Sequence, residues 1–417
     1  MNKESNSKSD AGIINIPGSK SLTQRALVAA ALARDNSFIS NALVAEDTLH
    51  LMDGLRTLGA QIVAADGGFF ISGTAGKLLH SGKEIFLGNN GTALRILTAL
   101  VTLGSGKYVL TGEKRLCERP VGALVDALQS MNVDISCRNN CPPVTVNAAG
   151  LKGGKIILKD IESSQYVSAL LLCAPYTKNG IDLSLEGEIV SAPYIDLTIS
   201  VMRDFGAKVN ETGPHQYSVE AGKIYKGRDY FVEGDASSAS YFFATAAILK
   251  KPVRVHGLGS SSRQGDMRLL KVLEKLGCTI DFGDNWIEVA CDGLLEGDFT
   301  FDLNDMPDMV PTLAVLAAFR RGQTVVTNVA HLRLKESNRL GALATELSRI
   351  GIAVSETADG LVIQGGIPRP AQIETYNDHR IAMSFAVAGL AVPGIEIMDK
   401  KCVDKSFPTF WEELKKV

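Results

Sequence analysis

The chain is predicted to fold as an α/β (α+β) protein of two lobes. Its length, a long internal repeat, and the alternation of apolar helix-like runs with short strand-like ones all lead there. At 417 residues it exceeds what one hydrophobic core usually supports. Helical periodicity repeatedly ends in an apolar residue and a glycine, followed by alternating strand residues. The pattern reads Leu58-Gly59-Ala60-Gln61-Ile62, Met131-Asn132-Val133, Phe205-Gly206-Ala207-Lys208-Val209, Leu276-Gly277-Cys278-Thr279-Ile280 and Ile350-Gly351-Ile352-Ala353-Val354. The punctuating residue recurs at 59, 132, 206, 277 and 351, in steps of 73, 74, 71 and 74. That period is too long for common solenoids but suits a supersecondary unit.

Glycine fits a helix C-terminus that needs left-handed backbone, and Asn132 is the next best residue for it. After each step comes a turn and a second strand, as in Gly67-Gly68-Phe69-Phe70-Ile71 or Gly283-Asp284-Asn285-Trp286-Ile287-Glu288-Val289, so each unit ends in a hairpin. Five copies are legible. A sixth must end near the C-terminus, where Phe410 to Lys416 reads as a last short helix. Six units divide into two lobes of three, with a boundary expected at Arg228 to Gly234, before the helix cap Asp235-Ala236-Ser237-Ser238.

Composition narrows the function. Hydrophobic residues at 45%, charged residues at 21% and a net charge of -3 describe an ordinary globular protein and argue against a nucleic-acid binder. Any cationic site must therefore be local. The cysteines at 117, 137, 141, 173, 278, 291 and 402 are odd in number, and the Cys137/Cys141 pair lacks zinc spacing, so reduced thiols and no metal centre are expected. Met1 to Asp10 is polar, without the apolar core of a secretory signal. The longest apolar runs, Leu27 to Ala33 and Phe385 to Val392, are too short to span a bilayer. A cytoplasmic protein with no membrane partner is expected.

Three predicted helices begin with small polar residues, two of them with glycine. Pro17-Gly18-Ser19-Lys20-Ser21 opens one running to about Ala33, Gly88-Asn89-Asn90-Gly91-Thr92 opens Ala93 to Leu103, and Asn377-Asp378-His379-Arg380 opens Ile381 to Leu390. Such starts leave N–H groups and the positive end of the helix dipole for an anion, although plain capping explains each one alone. Lys20 with Arg25, Arg95 and Arg380 lie close behind, and this concentration of cations favours anion binding. No phosphate loop and no dinucleotide fingerprint is present, so nucleotide binding is not indicated.

Further polar strings sit at predicted helix starts. If Leu334-Lys335-Glu336-Ser337-Asn338-Arg339-Leu340 is helical, Lys335 and Arg339 share a face, which alone reads as a surface ion-pair stripe. Asp308, before an apolar helix, alone reads as a cap. Glu118-Arg119-Pro120, Ser163-Ser164-Gln165 and Ser191-Ala192-Pro193-Tyr194 are similarly placed.

Taken in order, the strings Pro17-Gly-Ser-Lys-Ser, Leu87-Gly-Asn-Asn-Gly-Thr-Ala-Leu-Arg, Glu118-Arg-Pro, Ser163-Ser-Gln, Ser191-Ala-Pro-Tyr, Val232-Glu-Gly-Asp-Ala-Ser-Ser-Ala-Ser, Pro307-Asp, Leu334-Lys-Glu-Ser-Asn-Arg-Leu and Asn377-Asp-His-Arg resemble the motif series of the 5-enolpyruvylshikimate-3-phosphate synthase family. They run from residue 17 to Lys405-Ser406-Phe407-Pro408, essentially the whole chain. The resemblance implies a two-domain inside-out α/β barrel, each domain three βαβαββ units. Residues 19–231 would form the N-terminal lobe on the shikimate 3-phosphate side. Residues 1–18 with 232–417 would form the C-terminal lobe, and helix N-termini would face a cleft between the lobes.

The implied activity moves the enolpyruvyl group of phosphoenolpyruvate to the 5-hydroxyl of shikimate 3-phosphate. Each substrate carries a carboxylate and a phosphate of about -1.5 to -2, so bringing them together requires several cations, with arginine forks best suited. By resemblance, Lys20, Gly91, Arg119, Gln165, Arg339, Arg380 and Lys405 surround phosphoenolpyruvate. Lys20, Ser21, Arg25, Ser163, Ser164, Gln165, Ser191, Tyr194, Asp308, His331 and Lys335 hold shikimate 3-phosphate. Asp308 is the implied base for the hydroxyl and Glu336 the acid for the methylene carbon, with Lys20 and His379 completing the catalytic set. No metal or organic cofactor is implied, because phosphoenolpyruvate carries its own leaving group, and a monomer is expected.

Four positions depart from the family pattern: His331 where asparagine is frequent, Asn338 where aspartate is, Asn90 where alanine or serine is, and Ile96 where proline is. Two rival readings are weighed. One is the cell-wall enolpyruvyl transferase acting on UDP-N-acetylglucosamine, which shares the fold but needs a reactive cysteine several residues before an Arg-Pro; Cys117 lies only two before Arg119. The other, a non-catalytic phosphometabolite binder, would have dispensed with Asp308 or Glu336. Lobe closure over the substrates is expected. Saturation with shikimate 3-phosphate alone should therefore reduce the radius of gyration in solution scattering; an unchanged radius rejects closure.

Overall fold

A computed structural model describes residues 12–417. The absence of a secretory signal read for Met1 to Asp10, and residues 1–11 of the expected C-terminal lobe, lie outside the described residues. The chain divides into two compact units. One comprises Gly18–Glu233 with Leu334–Ser337, and the other 12–17, Gly234–Arg333 and Asn338–Val417.

The repeat read from the sequence is realised strand by strand. In each of five four-stranded sheets, one strand pairs in parallel with the next. That strand then pairs antiparallel with the second arm of the hairpin, and the first arm forms the edge. In one such sheet Gly154–Lys159 runs parallel to Ile181–Glu186, which pairs antiparallel with Gln216–Val219, beyond which lies Val209–Gly213. The residues punctuating the repeat all have left-handed backbone: φ is 105° at Gly59, 62° at Asn132, 87° at Gly206, 96° at Gly277 and 84° at Gly351. Glycine adopts this conformation without a Cβ penalty and asparagine tolerates it.

The sixth unit is abbreviated. Its sheet has only Ala371–Ile373 parallel to Ile395–Ile397; where a hairpin would follow, the chain instead makes a 3-10 turn and the helix Phe410–Leu414. One strand of the repeat is exchanged in sequence. Gly12–Asn15 pairs with Val253–His256 in the second unit, while Asp229–Phe231 pairs with Asn36–Ser40 in the first.

Two kinds of helix alternate. Glu46–Thr57, Gly122–Ser130, Pro193–Asp204 and Arg339–Arg349 are amphipathic, each with a buried stripe. Lys20–Leu32, Gly91–Leu100 and Gln165–Cys173 in the first unit are buried almost all round, as are Ala236–Leu249, Val310–Ala318 and His379–Ala391 in the second. Helices apolar on every side belong in the middle of a core, and the three in the second unit pack on one another. The strands alternate buried and exposed, as along Cys141–Ala149, so one sheet face covers the core and the other meets solvent.

The Lys335–Arg339 stripe does not form as expected. The helix begins only at Arg339, because the Asn338 side chain accepts from the Gly341 N–H at 3.2 Å and the Asn338 backbone, at φ -73° and ψ 86°, is not helical. Lys335 and Glu336 lie in the bend before it.

Tight packing recurs at equivalent places in the repeat. After the hairpin, Gly73 and Gly365 pass against the carbonyl ends of the central helices Lys20–Leu32 and Val310–Ala318. A Cβ there would overlap the carbonyl oxygens of Ala33 and Ala30, or of Arg320 and Ala317. Backbone cannot yield as a side chain does. Gly73→Ala and Gly365→Ala should each cost roughly 1–3 kcal/mol in thermal or urea unfolding; wild-type stability would show that the strand end shifts freely.

Candidate active site

In the first unit the site residues gather at the N-termini of the three buried helices. Ser19 caps Lys20–Leu32 by accepting from the Leu22 N–H at 3.5 Å. The cap leaves Lys20 in the first turn, where its Nζ lies 3.0 Å from Asp47 Oδ2. Asn90 caps Gly91–Leu100, accepting from the Ala93 N–H at 2.9 Å, and its amide donates to Gln24 Oε1 at 3.0 Å and to the Asp47 carbonyl at 2.6 Å. The departure at position 90 is thus a fully engaged cap that ties two helix starts together.

Gly91 is required by space rather than by backbone angle. A Cβ there would come within 2.6 Å of the Arg119 and Arg95 guanidinium groups, and both arginines are buried. Arg95 donates to the Gly91 and Pro120 carbonyls and to Gln165 Oε1 at 2.7 Å, while the Gln165 amide donates to Thr92 Oγ1 at 2.9 Å. Gln165 is therefore aimed by a cation already flagged at a helix start. Arg119 donates to the Asn89 carbonyl at 3.3 Å and lies 3.6 Å from Glu336 Oε1. Arg115 donates to the backbone carbonyls of Lys335 and Glu336 and so fixes the bend that presents them.

The remaining first-unit candidates form a second group. Arg25 is buried, donating to Thr198 Oγ1 at 2.7 Å, Ser168 Oγ at 3.3 Å and the carbonyls of Ser21 and Tyr194. Burial lowers its pKa to about 10, which leaves it protonated at neutral pH. It brings Ser21 and Tyr194 together. Ser191 has left-handed backbone, φ 57°, immediately before helix Pro193–Asp204; a serine held there marks a site where local geometry overrides preference. Ser164 is buried before Gln165–Cys173, and Ser163 Oγ accepts from the Gln165 N–H at 3.3 Å.

In the second unit Asp308 stands between two arginines. Its Oδ1 accepts from Arg339 Nη1 at 2.8 Å and its Oδ2 from Arg380 Nη2 at 2.7 Å. It is therefore not the helix cap that its position suggests. Asp378 caps His379–Ala391 through the Arg380 N–H at 3.0 Å, and it also receives Arg339 through Nε at 2.8 Å and Nη2 at 3.3 Å. The charge of a cation as buried as Arg339 is costly unless so compensated, and removing one partner typically costs about 3–5 kcal/mol. His379 is buried, its Nδ1 3.8 Å from Asp378 Oδ1. Lys405 and His331 are both buried in this unit, His331 in the short helix Ala330–Leu334.

A further buried carboxylate adjoins this cluster. Ser237 Oγ donates to Asp266 and accepts from Arg380 Nη2 at 3.3 Å, while Arg380 Nη1 reaches the Tyr241 hydroxyl at 3.4 Å. Burial and then the charge of Asp308 push the Asp266 carboxyl up to about 6, with Arg380 and the Ser237 hydroxyl pulling the other way.

Sequence reading did not find Asp47, Arg115, Ser237 or Asp266 as site residues. Each acts on a partner distant in the chain, so spacing along the sequence does not pair it, although Ser237 lies within a quoted helix-start motif. Among the described residues no cluster of His, Cys, Asp and Glu could hold a metal, and no helix is long and apolar enough to cross a membrane.

The sequence profile of the EPSP synthase (3-phosphoshikimate 1-carboxyvinyltransferase) family matches residues 5–414. A protein named 3-phosphoshikimate 1-carboxyvinyltransferase from Trichormus variabilis is 42% identical over 402 residues, spanning 95% of this chain and 94% of that one. One of the same name from Photorhabdus laumondii is 42% identical over 415 residues, spanning 97% and 96%. The solved EPSP synthase from Acinetobacter baumannii superposes with a TM-score of 0.80 at 29% identity, covering 97% of this chain and 95% of that one. The chain therefore belongs to the EPSP synthase (3-phosphoshikimate 1-carboxyvinyltransferase) family.

Proposed function

We propose that this chain transfers the enolpyruvyl group of phosphoenolpyruvate to the 5-hydroxyl of shikimate 3-phosphate, releasing phosphate, on the route to chorismate and the aromatic amino acids. The observation that carries this reading is the clamped carboxylate of Asp308, bonded by one oxygen to Arg339 and by the other to Arg380. A base for a hydroxyl and two forks for a phosphorylated carboxylate thus occupy one place.

The roles follow from charge. Asp308 takes the proton of the 5-hydroxyl as that oxygen bonds to the enol carbon, and Glu336 delivers a proton to the methylene carbon. In the second step the methyl carbon returns a proton to Glu336, the carbon–carbon double bond re-forms as the carbon–oxygen bond to phosphate breaks, and inorganic phosphate leaves with the proton that Asp308 had taken. Lys20, Arg119, Arg339, Arg380 and Lys405 stabilise the phosphate and carboxylate charge during both steps, with Gln165 donating a hydrogen bond and Gly91 leaving room. Ser21, Arg25, Ser163, Ser164, Ser191, Tyr194, His331 and Lys335 hold the phosphorylated ring. His379 supports the set from behind Asp378. The protein is proposed to act as a cytoplasmic monomer that needs no metal or organic cofactor.

Four of the cations already face a carboxylate: Lys20 faces Asp47, Arg119 faces Glu336, and Arg339 and Arg380 face Asp308. These partners hold the forks in place before substrate arrives, so less ordering accompanies binding.

Mixing the protein with both substrates should release stoichiometric phosphate, and with either alone none; silence with both rejects the assignment. Asp308→Ala should lower turnover by roughly 100-fold or more, in line with the loss of a positioned general base, while calorimetry still detects shikimate 3-phosphate. Undiminished turnover would remove Asp308 from the chemistry.

A further inference from the structure

The Asp266 carboxylate lies in the short 3-10 turn Gly265–Arg268 and is buried. None of the roles above uses it. It lies one hydroxyl away from Arg380. Serine has a single O–H to donate and two lone pairs to offer. Ser237 gives its hydrogen to Asp266, so a lone pair is left facing Arg380 Nη2. The second hydrogen of that Nη2 goes to Asp308 at 2.7 Å, and the other arm of the fork reaches Tyr241 at 3.4 Å. Arg380 is therefore gripped from the Asp308 side and, independently, from behind by Ser237 and Tyr241.

The two grips are unequal in what they must endure. An anion arriving at Arg380 competes with Asp308 for the same N–H, and Asp308 must also take a proton during turnover. Neither event competes for a hydrogen bond of the rear grip. Were Ser237 to lose its acceptor, its hydroxyl hydrogen would be free to turn and the lone pair would no longer be aimed at the guanidinium.

We propose that Asp266 is a positioning residue which, by orienting the Ser237 hydroxyl, fixes the Arg380 fork and so sets the affinity for phosphoenolpyruvate without touching it. Burying an acid at such a place is costly to the fold, as its raised proton affinity shows, so stability alone does not account for its presence.

The inference rests on the transferase reading, and the test separates the two. Wild-type phosphate release is measured first. Asp266→Ala should then raise the KM for phosphoenolpyruvate about tenfold, the loss of roughly one charge-assisted hydrogen bond, with kcat within about threefold and the KM for shikimate 3-phosphate unchanged. Asp266→Asn keeps an acceptor oxygen and should recover most of the loss, with a Tm no lower than that of the wild type. Ser237→Ala should reproduce Asp266→Ala, and the double variant should be no worse than either single one. Titration with inorganic phosphate reads the same fork without turnover and should weaken by a similar factor. Wild-type affinities in Asp266→Ala, additive losses in the double variant, or equal falls in kcat and Tm for Asp266→Asn would each overturn the proposal. If Asp266→Ala does not fold, the Asn and Ser237 variants still decide it.

Discussion

Among the described residues six helices are buried on nearly every side, and that constraint organises everything else. Polar chemistry along a helix buried all round must be compensated, as Arg25 and Arg95 are by their hydrogen bonds. The N-terminus is the easier place for it, because it offers unpaired N–H donors and the positive end of the dipole. Lys20, Gly91 and Gln165 sit in the first turns of the three such helices in one unit, and Ser237 and Arg380 in the first turns of two in the other. Asp308 lies in the short turn leading into the sixth, Val310–Ala318. The sheets and amphipathic helices cover these cores and set where the ends emerge.

Placing cations at such ends creates an electrostatic demand that the chain meets with its own carboxylates. Two buried arginines, Arg339 and Arg380, share Asp308, and Arg339 takes Asp378 as well. Asp378 also caps the helix that begins at His379, so one side chain starts a helix, compensates a buried charge and aims a fork. In the other unit Lys20 pairs with Asp47, and the Asp47 carbonyl in turn holds the cap of the neighbouring helix through Asn90. Secondary structure and site electrostatics are supported by the same few atoms. Pairing of this kind offsets the cost of burying the cations while restricting where they point.

Much of the plan could be read from the chain. The residues at 59, 132, 206, 277 and 351 announced five helix ends, and all five have positive φ. The caps Ser19, Asn90, Asp235 and Asp378 were visible as small polar residues before apolar runs, because capping is a local interaction within about one turn. The stretch from Lys335 to Arg339 misled, since helical spacing was assumed where Asn338 caps the helix and delays its start. The missing hairpin of the sixth unit had left no repeat signal, and the sequence accordingly showed five copies.

The sequence by itself determined the periodic unit, the helix starts and the order of motifs that marks the family. Each depends on interactions between neighbours in the chain or on a pattern of identities. Tertiary structure alone decided which groups work on one another. Arg119 finds Glu336 across 217 positions of chain, counting from 119 to 336, Arg115 holds the bend at Lys335 and Glu336, and Asp266 meets Arg380 only through Ser237. Coulomb and hydrogen-bond energies depend on distance and direction in space, and neither quantity is written in the spacing of residues along a chain.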